Sequence, residues 1–307
     1  MTIMFSEIGD YARTELGAEV HMPTPDFPLS GLSSTATWHY GCLAFAKVVD
    51  SELLARAVGV ADAALIVAHD AGTVACPHLR VANPRLAFAQ IAEAFFADRP
   101  APGIHPTAIV DPTAEIDPSA SVGPYCVVAA RCRIGARTVL HTHVTLHRDV
   151  IIGTDCVLWS HCVLGEDGYG IERRPGELQK RLPHFGGVVV GNGVQIGNFS
   201  AIVGGTLDPT RIGDGTMIDN LVHVAHNVQT GKNCQIIACA EVSGSVVIGD
   251  NVTIAPNATV IQKIEIGENS LLGIGAVATK SIPANVVAAG VPAKVIRTLA
   301  SAEGTAE

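Results

Sequence analysis

The chain has 307 residues, enough for two domains with separate cores, and is 48% apolar but only 5% aromatic, which suits tightly layered β-structure of Val, Ile, Ala and Gly better than large-residue helical packing. A formal net charge of −9 argues against nucleic acid as a partner, because phosphate binding needs a basic surface. No basic, apolar leader opens the chain, no apolar run is long enough to span a bilayer, and eight cysteines occur without a CxxC pair, so a reduced, cytoplasmic protein is expected.

Residues 1–103 carry no internal repeat and read as a small α/β domain. The run "ALIVAH" (residues 64–69) reads as a buried strand. "NPRLAFAQIAEAFF" reads as a helix with Asn83 as N-cap and Pro84 in its first turn. "RPAPGIHP" (residues 99–106) is a Pro/Gly linker.

From residue 104 to 292 the sequence repeats. Ile116, Ile134 and Ile152 are 18 residues apart, and Ile212, Thr230, Ile248 and Ile266 keep the same step. Between them an aliphatic or small residue returns every six positions, as at Val222, Val228, Cys234, Ala240, Val246 and Val252. Three hexapeptides make one triangular coil, so residues 18 apart should stack about 4.8 Å from each other. The fold class predicted is mainly β: a parallel β-helix whose ladders no single coil could bury. Cys126, Cys132, Cys156, Cys162 and Cys234 fall where the repeat takes a small residue, and are expected as small hydrophobes, not as metal ligands or disulfides.

Two interruptions stand out. Residues 165–187, "GEDGYGIERRPGELQKRLPHFGG", form a long polar loop with clustered Lys and Arg. The step from Ile196 to Ile212 is 16 residues, so the coil containing "VGGTLDPT" is expected to be slightly short. Next comes "MIDNLVHVAHNVQTGKN", with His223 and His226 three residues apart. Eighteen residues on, His223 meets Glu241 and His226 meets Gly244. After Pro283 the pattern ends in "NVVAAGVPAKVIRT", and residues 293–307 are expected to be a tail, polar from Ala300.

"GEDGYG" before the basic loop, the 16-residue short coil after it, and "IDNLVHVAHN" resemble the UDP-3-O-acylglucosamine N-acyltransferase family of lipid A biosynthesis. The last coils, through "GVPAKVIR", look more like coenzyme A-dependent N-acetyltransferases of nucleotide-linked amino sugars. The resemblance implies a left-handed β-helix, a homotrimer and N-acyl transfer from acyl-CoA or acyl carrier protein, with no tightly bound cofactor and no metal. It makes His226 the catalytic base and Gly244 the oxyanion donor, with Asn227 or a backbone carbonyl orienting the imidazole. Asp167, Tyr169, His223, Glu241 and Phe45 then belong with the nucleotide sugar, and Gln262, Lys294 and Arg297 with the donor. The residues agree chemically. Acylating an amine requires a proton acceptor, for which neutral imidazole is suited. A glycine beside it leaves room and exposes its N–H to a tetrahedral oxyanion. The His223–Glu241 rung could tune a pKa, bind a substrate hydroxyl, or be a polar ladder at the surface.

The chain also departs from that resemblance. "IQKI" (residues 261–264) lacks a second histidine, and Val203-Gly204 replaces an Asp-Arg pair. Val48 and Ser51 stand where Asn and Tyr would accompany Phe45, and the C-terminal helical extension is missing. A hydroxyacyl chain and a lipid A precursor are therefore one version of the substrate among others. From a different class, zinc-dependent carbonic anhydrases also use β-helices. His143 and His161 would stack, with His141 and His147 close by, but that site wants three histidines at another spacing.

Overall fold

Aliphatic residues recurring every six positions are buried only when successive coils lie on one another, and the chain solves that problem along most of its length. The computed structural model describes residues 2–22, 25–53 and 62–299, in two compact units, Met1–Arg99 and Pro100–Glu307. The boundary falls ahead of the predicted one because Gly103–Ile104 already pairs with Ser121–Val122 as part of the first coil.

In the second unit, strands of mostly two or three residues fall on three faces and pair in parallel from coil to coil. On one face Glu115–Ile116 pairs with Arg133–Ile134, and that strand with Val150–Ile152. The inward residues Ile134, Ile152, Val190, Ile212 and Ile248 are each at most 3% exposed. Between strands the chain turns through a residue in the left-handed region, such as Tyr125, His143, His161 and Asn227, at φ between 57° and 65°. The fold is the parallel β-helix expected from the repeat, with the left hand that the family resemblance implied. The five cysteines of the repeat are buried and unpaired. Four of the thiols, those of Cys126, Cys132, Cys156 and Cys234, reach backbone carbonyls, Cys126 Sγ donating to His141 O at 2.8 Å and Cys132 Sγ to His147 O at 3.0 Å. Burial pushes the Cys162 thiol up to about 12.

Two features of this unit correct the sequence reading. The coil holding "VGGTLDPT" is long, not short. Val190 pairs with Ile212, Ile196 with Ile218 and Ile202 with Val224, a step of 22. Ile196 and Ile212 lie on different faces, so the spacing of 16 between them was never a coil length. The additional residues form an outward corner at 203–209. The second correction concerns residues 293–307. Lys294–Thr298 is a strand, antiparallel to Val286–Ala289, which is itself parallel to Leu271–Leu272. It covers a sheet edge that the last coil would otherwise leave open. The polar tail from Ala300 lies outside the described residues.

The first unit holds a five-stranded sheet in the order Glu19–His21, His78–Val81, Ala64–Ala68, Cys42–Phe45, Gly31–Leu32, with only the Glu19–His21 edge antiparallel. The predicted strand and helix are both present. Asn83 caps the helix Pro84–Ile91 by accepting from Leu86 N at 3.1 Å, and the chain continues as a wider turn, Ala92–Phe96. A further helix, Phe5–Leu16, closes on Gly17 at φ 62°. Phe45 packs against Phe88 with ring centroids 5.0 Å apart.

Candidate active site

The strand His223–Val224 ends at a corner occupied by His226 and Asn227, and one coil later Glu241–Val242 ends at Ser243 and Gly244. Gly244 therefore lies under His226. An ideal Cβ on Gly244 would come within 2.7 Å of both Cε1 and Nε2 of the imidazole, so only glycine fits. Among the described residues the Gly244 N–H has no carbonyl partner, while the next amide, of Ser245, donates to His226 O at 2.9 Å.

The imidazole is held by the neighbouring side chain, not by a backbone carbonyl. His226 Nδ1 lies 3.1 Å from Asn227 Oδ1. The amide's orientation is fixed by its other bonds: Oδ1 accepts from Thr206 N at 3.1 Å and Thr206 Oγ1 at 2.9 Å, and Nδ2 donates to Asp208 O at 2.9 Å. An amide oxygen only accepts, so Nδ1 carries the hydrogen and Nε2 keeps its lone pair, above Gly244. The long coil explains these contacts, because Thr206 and Asp208 sit in its outward corner.

A pocket of about 310 Å³ gathers Asp167, Tyr169, His223, Glu241 and Gln262 around His226 and Gly244. A larger open hollow of about 600 Å³ runs beside Trp159, Met217 and Asp219, but it offers no imidazole. The pocket brings in Arg181 and Ser243 as well, neither singled out by the sequence. Arg181 Nε donates to Gly168 O at 2.9 Å, and its guanidinium lies 5.8 Å from the Tyr169 ring centroid.

His184 was also missed. It is 4% exposed and meets His226 edge-on, with ring centroids 5.2 Å apart. Its Nδ1 donates to Leu182 O at 2.9 Å, while its buried Nε2 has no hydrogen-bond partner among the described residues. Burial holds its pKa below the ordinary histidine value. Its amide donates to Asp167 Oδ1 at 3.2 Å and its carbonyl accepts from Arg148 Nη2 at 2.9 Å, which fastens the loop 165–187 to the coils. Gly168 was the available signal, since a Cβ there would fall 2.8 Å from His184 Nε2.

His223 and Glu241 are stacked in register, as the 18-residue step required, but they are not bonded to each other. Glu241 accepts instead from Ser243 Oγ, at 3.0 and 3.1 Å to its two oxygens. Lys294 and Arg297 lie on the final strand and do not line this pocket, and Phe45 belongs to the first unit. His143 and His161 stack flat in a column running from Tyr125 to Phe199, with centroids 4.6 Å apart, so their nitrogens lie in parallel planes instead of converging on one ion. Among the described residues no three His, Cys, Asp or Glu side chains gather as metal ligands.

An imidazole with a free Nε2, poised over a glycine amide on a β-helix corner, defines a hexapeptide-repeat transferase scaffold. A profile described as bacterial transferase hexapeptide (six repeats) matches residues 228–262. A UDP-3-O-acylglucosamine N-acyltransferase of a Caulobacter species is 37% identical over 134 residues, 44% of this chain and 39% of that protein. The Oleidesulfovibrio alaskensis protein of the same name is 50% identical over 82 residues, 27% of this chain and 24% of its own length. Among solved structures, the UDP-N-acetylglucosamine O-acyltransferase (LpxA) of Moraxella catarrhalis is 32% identical with a TM-score of 0.57, over 64% of this chain and 74% of that one. The chain belongs to the hexapeptide-repeat family of acyltransferases. It spans about two fifths or less of the length of these curated relatives.

Proposed function

We propose that this protein is an N-acyltransferase that moves an acyl group from a thioester to the amine of a nucleotide-linked amino sugar. The observation that carries the reading is the unit formed by His226, Asn227 and Gly244: a ring fixed in one tautomer, its acceptor nitrogen open to the pocket, above an unoccupied backbone donor. The similarity to proteins named as N-acyltransferases supports the choice of an amine.

In this mechanism the amine nitrogen attacks the thioester carbonyl while His226 Nε2 takes a proton from it. A C–N bond forms, and the carbonyl oxygen becomes an oxyanion facing the Gly244 N–H. Collapse breaks the C–S bond. The leaving thiolate takes the proton from His226, which returns to its neutral form. Asn227 keeps Nδ1 protonated throughout. Arg181 beside Tyr169 offers the cation and ring that a nucleotide diphosphate would meet, with Asp167 and Gln262 at the pocket rim.

The donor in this reading is acyl-CoA, with Lys294 and Arg297 toward its phosphates; the alternative is the lipid A N-acyltransferase proper, which would take a hydroxyacyl group from acyl carrier protein. The working unit is a homotrimer. A panel of acyl-CoA and acyl-carrier thioesters against nucleotide-linked amino sugars, read by mass spectrometry, tests the assignment. An acylated amino sugar should form with the wild type, and His226→Ala should lower turnover by at least about a hundredfold. Equal turnover in that variant would remove His226 from the mechanism.

A further inference from the structure

One scaffold serves both acceptor chemistries: the Moraxella catarrhalis structure is of an O-acyltransferase, and the curated relatives are named as N-acyltransferases. A hydroxyl arrives neutral. An amino sugar arrives largely as an ammonium, and needs an anion or several acceptors to replace its water. In this pocket a side chain of that kind stands three residues before Gly244, on the same coil.

We propose that Glu241, with Ser243 beside it, is the ammonium-binding subsite and selects an amine acceptor over a hydroxyl. This deepens the N-acyltransferase reading and rests on it. Glu241 is half-buried in the pocket wall and has no cationic partner among the described residues. Among the described residues the carboxylate's only hydrogen-bonded neighbour is the Ser243 hydroxyl, which donates to it. A carboxylate has about four acceptor sites, so capacity remains for a donor entering from the pocket. The other charged or titratable groups lining the same pocket are Asp167, Tyr169, Arg181, His223 and His226. Arg181 is tied to the loop through Gly168 O and Tyr169, and His223 is stacked on Glu241 without a bond.

The proton balance follows. The ammonium binds to Glu241 and releases one proton to water, which leaves a neutral amine still donating to the carboxylate. Its lone pair attacks the thioester, and a second proton passes to His226 Nε2 and then to the departing thiolate. Glu241 remains a carboxylate at the end of the cycle.

The test measures binding to the full-length His226→Ala protein, which cannot turn over, using UDP-glucosamine and UDP-glucose, which differ only in amine against hydroxyl. The amine should bind more tightly by about tenfold or more, as expected for a charge-assisted hydrogen bond. That preference should fade as pH rises past the ammonium's own pKa. Adding Glu241→Gln should abolish the preference while leaving UDP-glucose affinity within about twofold, and in the otherwise wild-type enzyme should raise KM for the amine more than it lowers kcat. An amine preference that survives Glu241→Gln, or a loss shared equally by both ligands, overturns the subsite. A wild type that acylates no nucleotide amino sugar and binds neither probe overturns the functional reading, and the subsite with it.

Discussion

His226 lies so close above Gly244 that a single carbon added to the glycine would touch Cε1 and Nε2 of the ring at 2.7 Å. The Gly244 backbone is outside the left-handed region, so alanine there brings no conformational strain and acts only through the ring. Gly244→Ala should displace the imidazole and lower kcat by roughly tenfold to a hundredfold, while the melting temperature stays within a few degrees of wild type. Thioester consumption and thermal melts together check it. Unchanged turnover would mean that the ring works from another position.

Asn227 does two jobs, and substitutions can separate them. Its φ of 61° and its bonds to Thr206, Thr210 and Asp208 hold the corner, while Oδ1 fixes His226. Asn227→Ala puts a Cβ residue without a compensating side chain in the left-handed region, at roughly 1–2 kcal/mol, so both stability and turnover should fall. Thr206→Val removes one donor to Oδ1 and keeps the shape. It should lower turnover by only about threefold to tenfold, with little change in melting temperature. A variant that lost stability alone would deny Asn227 its part in orienting the base.

Lys294 and Arg297 are exposed on the edge strand of their sheet, beside Val286–Ala289. Their double substitution to Ala should raise the apparent KM for acyl-CoA by about threefold to tenfold and leave saturated kcat nearly unchanged. A wild type that ignores coenzyme A thioesters but accepts the same acyl group on a carrier protein would reassign the donor and leave His226 untouched.

His184 makes stability depend on pH in a definite direction. Burial lowers its folded pKa from 6.5, so below that value the unfolded chain binds the proton more readily. Stability is therefore greatest above about pH 6.5 and falls as pH drops through the folded pKa, where Nε2–H would be buried without an acceptor. His184→Gln should melt roughly a few degrees less steeply between neutral and acidic pH than wild type. Parallel melting curves for the two proteins across that range would contradict the burial argument.

The architecture was legible because burial on a repeating scaffold leaves its mark on every eighteenth residue: Ile116, Ile134 and Ile152 could be stacked from their numbers alone. The same counting placed Gly244 under His226. It failed where the chain leaves the coil. Comparing Ile196 with Ile212 mixed two faces and hid the outward corner that carries Thr206 and Asp208. Arg181 reaches the pocket and His184 reaches His226 by the folding of a 165–187 hairpin, in which Ile171–Glu172 pairs with Lys180–Arg181, and no period records that path. The His223–Glu241 rung shows a finer limit. Register fixes which Cα atoms stack, but the nearer hydroxyl of Ser243 took the carboxylate.

Between Val150–Ile152 and Val188–Val190 the ladder continues in register, although the 165–187 excursion intervenes. The coil neither shifts nor widens to admit it, and the chain returns through Gly187 at φ 66°. Closing a longer loop adds little entropic cost, so the rung does not depend on what is inserted there. On the proposed reading, recognition is thereby separated from the strand ladder: the segment carrying Asp167, Tyr169, Arg181 and His184 interrupts no rung of it. A lineage could replace that segment and meet a new acceptor without renegotiating a single buried isoleucine.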